Sequence, residues 1–272
     1  MSFLIKSALV VFSIVVSFFS YVLGSQEIIT SYLKSMSNAK GISVEMHNVI
    51  SVQEASLEIH EVIRMTSSKP NYIRAEYRAE AITGSQAKKL GLHWILLSDG
   101  DGLFLISGSG RYYQKLKAPR DFWQIFSPTA WKRAPDLHYV VARWFAPFAL
   151  MHPDDPGGFF HDARFVGKVE VDGEMLYKFL LSENVELIDG RATPGIRFSE
   201  TLPAGQIGFY LKKEGDVLIF KRFSLIYREK ESRLFESLEW DFEKPPSDHF
   251  QLPEGLMQVD SILEMVDQTD KK

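Results

Sequence analysis

The sequence predicts an α+β fold: a strongly curved antiparallel sheet whose concave face is covered by short helices. Three observations predict it. Two neighbouring segments, Ser56–Met65 and Lys69–Glu80, alternate apolar and polar residues with a period of two, which is the signature of strands with one dry and one wet face. Between Asp121 and Met151 the period changes to three and four, and the apolar residues become largely aromatic, as on one broad face of short helices. Alternation then returns from Arg164 to Phe242. A sheet with one dry face must cover it, and the aromatic segments stand in the chain where such a cover is needed.

The chain of 272 residues, 45% hydrophobic, is long enough to bury a sizeable core. Its net charge of −4 comes from 31 basic and 35 acidic residues without a run of like charge, so nucleic acid is not an expected partner. The absence of cysteine excludes disulfides, thiolate metal sites and cysteine lipidation.

Lys6 precedes the apolar run Ala8–Leu23, which Gly24 and Ser25 close. A basic start, a short apolar run and a small-residue exit form a signal peptide over residues 1–24, with Val22 and Gly24 at the −3 and −1 positions. An uncleaved anchor is the alternative; the run is short for a span of about 20 residues and is interrupted by Ser13, Ser17 and Ser20. Both readings place the body outside the cytoplasm. That body is expected to be one domain, residues 25–256, followed by an acidic tail, 257–272.

The domain opens with a helix. Ile28, Ile29, Tyr32, Leu33 and Met36 make one apolar stripe, and Gly41 follows the helix C-terminus. Strands come next. Ile42–Val52 is the first. On the second, Leu57, Ile59, Ile63 and Met65 share a face with Glu61 as the exception, opposite Glu58, His60 and Arg64. On the third, Ile73, Ala75, Tyr77 and Ala79 oppose Arg74, Glu76, Arg78 and Glu80; Arg74 is expected to form a surface pair with a neighbouring glutamate. His93–Ser98 and Leu103–Ile106 flank the turn Asp99-Gly-Asp-Gly102, and Arg111–Lys117 follows Ser107-Gly-Ser-Gly110. The result is a meander of about six strands, which twist makes curl.

The cover has two parts. Asp121–Trp131 carries Phe122, Trp123, Ile125, Phe126 and Trp131; Leu137–Met151 carries Leu137, Val140, Val141, Trp144, Phe145, Phe148 and Met151. Pro147 kinks this second helix or ends it near Ala146. The two parts form either a lid over a cavity or an ordinary packing layer. His152–Asp162 holds two histidines and three aspartates, but its prolines and glycines make it a loop without fixed ligand spacing, so a metal-dependent hydrolase is the least supported reading. No catalytic motif occurs; neither an enzyme, a cofactor nor a metal is expected. Arg164–Val171 and Met175–Ser182 form a hairpin across Asp172-Gly173. Leu187–Gly205 is an irregular loop, Gln206–Lys212 pairs with Val217–Tyr227, and Arg233–Phe242 is the last strand.

Several of these segments resemble the outer-membrane lipoprotein carrier superfamily (LolA/LolB-like), above all its uncharacterised predicted periplasmic branch. Pro70, Tyr72, Arg74 and Tyr77 match its strand motif; Ser98-Asp-Gly-Asp-Gly-Leu-Phe-Leu105 resembles its next hairpin; Asp241–Gly255 resembles its closing segment. The resemblance implies an unclosed half-barrel of about eleven strands, twisted and curved, holding acyl chains under a helical lid. It implies a periplasmic, monomeric, non-catalytic carrier whose partner is a lipid or an acylated protein. The cavity floor would be Leu57, Ile59, Ile63, Met65, Ile73 and Tyr77, and the lid Trp123, Phe126, Trp144, Phe145 and Phe148. No cysteine follows the signal, which excludes the lipid-anchored acceptor form. The same fold resembles the sensing domain of periplasmic regulators, so a module binding a membrane protein such as an anti-sigma factor is the alternative.

Overall fold

The computed structural model describes residues 26–52, 57–83, 86–127, 135–154, 160–161, 163–181, 206–227 and 230–263. The signal segment, Trp131, residues 155–159 and 162 of the His152–Asp162 loop, the Leu187–Gly205 loop and residues 264–272 lie outside the described residues.

Helix α1 spans residues 26–38. It turns Ile29, Tyr32 and Met36 into the core, with Ile28 and Leu33 partly buried beside them, as the apolar stripe requires. Six strands follow: β1 (Gly41–Val52), β2 (Leu57–Ser68), β3 (Tyr72–Thr83), β4 (Gln86–Asp99), β5 (Gly102–Ser107) and β6 (Tyr112–Lys117). A 3₁₀ turn (Phe122–Phe126), helix α2 (Pro135–Trp144) and a second 3₁₀ turn (Ala146–Met151) interrupt the strands. Then come β7 (Arg164–Val171), β8 (Glu174–Leu181), β9 (Gln206–Glu214), β10 (Val217–Tyr227), β11 (Lys230–Asp241), a 3₁₀ turn (Ser247–Phe250) and β12 (Met257–Val259).

All twelve strands join one open sheet in the order β12-β6-β5-β4-β3-β2-β1-β11-β10-β9-β8-β7. The two meanders meet where β1 pairs with β11, so β12 and β7 are the edges. Register shifts break β1–β11, β3–β4, β7–β8, β9–β10 and β10–β11, and each such bulge adds local bend and twist. Asp172 (φ 52°) and Gly173 (φ 81°) both sit at positive φ, the two-residue turn whose twist suits the β7–β8 hairpin.

Four expectations are corrected. The described strands number twelve rather than eleven. The sheet is not antiparallel throughout, because β12 runs parallel to β6, with Met257 opposite Tyr112. Residues 257–263 are part of the body rather than tail: Ile262 is fully buried in the main core and Val259 and Leu263 pack on it. The Phe122–Phe126 segment is a 3₁₀ turn rather than an α-helix. Asp121 accepts a hydrogen bond from the Trp123 amide, and Ser127 is extended (φ −79°, ψ 129°) because the residue before a proline, here Pro128, is disfavoured in the α region.

The outward face is polar over the centre of the sheet. Arg64 and His47 both reach the Glu45 carboxylate, and Arg78 and His93 both reach Glu76, at 2.5 and 2.7 Å. Across β8–β11, Lys212 and Lys221 reach Glu174, and Arg222 bridges Asp172 and Glu236. Over β4–β6 the outward face is dry instead. Leu97, Phe104 and Ile106 are buried there with Leu252 and Leu256 packed against them, so the segment from Ser247 to Leu256 roofs that corner. The Tyr72 and Phe250 rings meet at 5.5 Å beside it. Arg74, outward on β3, makes no glutamate pair among the described residues; it stands opposite Thr66 and Leu97.

Candidate functional site

The inward face of β1–β6 is assembled in rows by strand register. One row runs Val44, Met65, Ala75, Leu96, Leu105 and Gln114. The next runs Met46, Ile63, Tyr77, Trp94 and Ser107. A third begins Asn48, Glu61, Ala79. Period two and the pairing register thus gather apolar side chains from six strands into one wall. Ile63, Met65, Ile73 and Tyr77 are all buried in it and Ile59 is partly buried against it. Leu57 is placed in β2 opposite Val52 and Thr83; its side chain lies outside the description.

The expected cover stands against this wall. Trp123, Phe126, Trp144, Phe145 and Phe148 are buried in the same core as the floor residues. Trp144 lies on Tyr77 with ring centroids 4.3 Å apart, the direct joint between cover and floor. Phe148 meets Phe126 edge-on at 5.3 Å and stacks with Phe145 at 6.2 Å. Tyr32 of α1 reaches Phe160 and Phe209, so the helix covers the β8–β10 side. At its start the cover is tied to the β2–β3 turn: the Phe122 amide donates to the Pro70 carbonyl at 3.1 Å, and Asn71 Nδ2 donates to the Pro119 carbonyl at 3.1 Å.

Glu61, the one acid on the inward face of β2, is 1% exposed. Its Oε2 accepts from Asn48 Nδ2 at 2.6 Å and its Oε1 from the Tyr77 hydroxyl at 2.6 Å. Burial raises its carboxyl pKa above the usual value, and the two hydrogen bonds oppose that rise. Asn48 and Tyr77 were not legible as its partners; the signal that existed was a lone acid at an inward position of an alternating strand.

His152 follows the second 3₁₀ turn. Its ring lies 5.8 Å from that of Trp123, and its Nδ1 accepts from the Asp154 amide at 3.2 Å. Burial lowers its pKa, against the pull of Asp154 and Asp121. Among the described residues no group of three or more histidines and acids is placed to hold a metal ion, and no helix is long and apolar enough to cross a membrane.

No protein-family description matches the chain, and no curated protein matches it by sequence. Among solved structures it is similar to LprF from Mycobacterium bovis, at 10% identity and TM-score 0.40 over 86% of this chain and 98% of that one. It is also similar to the lipoprotein LppX from Mycobacterium tuberculosis, at 11% identity and TM-score 0.37 over 82% and 96%. A DUF1329 family protein from Desulfovibrio piger matches at 8% identity and TM-score 0.34 over 85% and 97%. At these TM-scores the likenesses carry none of the functional argument.

Proposed function

We propose that this chain is a non-catalytic periplasmic carrier that holds a lipid, a lipoprotein acyl chain or another apolar ligand between the concave face of its sheet and the aromatic cover. One observation carries the reading: a continuous apolar wall built by six strands is faced by a separate, aromatic-rich layer made of 3₁₀ turns and one short helix. That layer is hydrogen-bonded to the sheet at its start and meets it elsewhere through ring contacts such as Tyr77–Trp144. The apolar burial in these contacts is non-directional, so a flexible chain can replace it when the layer lifts. Each buried methylene contributes about 0.8 kcal/mol, so a long acyl chain offsets the lost contacts without specific polar anchors.

The test is native mass spectrometry of the protein purified gently from a bacterial periplasm. A co-purified lipid mass that is lost on organic extraction is the expected result. Bare protein, with no uptake of lipid when the extracted form is incubated with vesicles, would sink the carrier reading.

A further inference from the structure

The carrier reading leaves open what a ligand's polar end would meet, and two neighbouring rings in the cover bear on that. Trp123 is only 3% exposed, yet its indole Nε1 has no hydrogen-bond partner among the described residues. A buried donor left unpaired is costly and asks for an explanation. His152, 6% exposed, lies beside it with ring centroids 5.8 Å apart. Because His152 Nδ1 already accepts from the Asp154 amide, the neutral ring carries its proton on Nε2 and is a second donor there.

We propose that Trp123 Nε1–H and His152 Nε2–H are the polar anchor of the acyl site and take the carbonyl oxygen of a neutral acyl ester or amide. The proposal rests on the carrier reading above. Both rings offer N–H groups, and the oxygen sought is therefore an acceptor. Asp121 and Asp154 lie close enough to act on the His152 ring, and their negative charge disfavours a free carboxylate beside it. An acyl chain attached to glycerol or to a protein fits this chemistry; a free fatty acid fits it less well.

The test compares three sixteen-carbon probes delivered from cyclodextrin to lipid-free full chain: methyl palmitate, palmitate and hexadecane. The ester is expected to bind wild type about tenfold more tightly than the hydrocarbon, the scale of one or two net hydrogen bonds, and more tightly than the free acid. Trp123→Phe and His152→Phe should each lower the ratio of ester to hexadecane affinity, while His152→Gln, which keeps an N–H donor, should retain most of that ratio. Where Trp123→Phe does not fold, the two His152 variants decide the matter. Equal binding of ester and hexadecane by wild type, or variants that weaken both alike, would overturn the anchor while leaving the carrier reading intact. Preference for palmitate over the ester would overturn the assignment to neutral acyl groups. If none of the three probes binds, the carrier reading falls and the anchor falls with it.

Discussion

The Tyr77 hydroxyl donates to Glu61 Oε1 at 2.6 Å across β2 and β3, while Asn48 Nδ2 from β1 donates to the other carboxyl oxygen. Three strands are thereby joined by one buried acid in a largely apolar wall. Tyr77→Phe removes one donor and keeps the ring under Trp144. It should cost about 1–3 kcal/mol, because the carboxyl oxygen left behind is cut off from water. Urea unfolding followed by tryptophan fluorescence measures this; an unchanged midpoint would mean that the bond contributes nothing net.

The same acid makes stability depend on pH in a direction opposite to most carboxylates. Burial raises the Glu61 pKa above its ordinary 4.5. Between that value and the folded-state pKa, the native chain holds a proton that the unfolded chain has released, so stability falls as pH rises through this window. Glu61→Gln keeps an acceptor for Asn48 and removes the titration. The variant should gain stability over wild type as pH rises above 4.5, seen as thermal midpoints that diverge with pH. Parallel curves would contradict it.

Much of this arrangement was legible in the sequence, and each illegible part has its own physical reason. Inward and outward residues of β2 and β3 follow from period two alone, and the buried positions of α2, Leu137, Val140, Val141 and Trp144, from helical spacing. Glu61 stood out as an exception, but its partners depend on the register that sets Asn48 opposite Glu61 and Tyr77 opposite Ile63, and no local pattern encodes register. The dry outer corner was foreshadowed by Leu103-Phe-Leu-Ile106, apolar on both faces as doubly buried strands are; its roof, Leu252 and Leu256, comes from a segment without periodicity. Three residues of β12 are too few to show any period. The 3₁₀ turn at Phe122 was missed because helical spacing over five residues does not distinguish α from 3₁₀ geometry, although Pro128 marked the stop.

Glu76 supplies the opposite pH dependence. The His93 hydrogen bond chiefly, and Arg78 with it, hold its carboxyl at about 2 despite partial burial. Its contribution is fully present above the ordinary 4.5 and is lost as pH falls towards 2. Arg78 is largely exposed, so screening trims the contribution to about 1–2 kcal/mol. Glu76→Gln should therefore lower stability at neutral pH and converge with wild type in acid, read from unfolding midpoints between neutral and strongly acidic buffers.

At Gly41 the backbone of β1 passes under the closing segment. A Cβ there would lie 2.7 Å from the Glu243 carbonyl oxygen and 2.9 Å from Pro245 Cδ, closer than packed atoms allow. The glycine is thus required by close approach inside the strand rather than by the end of α1. Gly41→Ala should cost about 1–3 kcal/mol and loosen the segment that leads to the outer roof, measurable as faster amide exchange at Leu252 and Leu256. Stability equal to wild type would show that the segment shifts freely.

Ile262 tests whether the last described residues belong to the domain. After roofing the outer corner, the chain adds β12 to the sheet edge beside β6 and then turns Ile262 into the main core. The Ile262 amide donates to Gln114 Oε1 at 3.2 Å, which fixes this re-entry against the inward face of β6. A fully buried isoleucine cut to alanine leaves a cavity, so Ile262→Ala should cost about 2–5 kcal/mol. Gln114→Leu removes the acceptor while keeping the bulk, and should cost about 1–3 kcal/mol by orphaning the Ile262 amide. Since amide and side chain act on the same re-entry, the double variant should lose less than the sum of the two. A tail that merely lies on the surface would give no loss in any of the three.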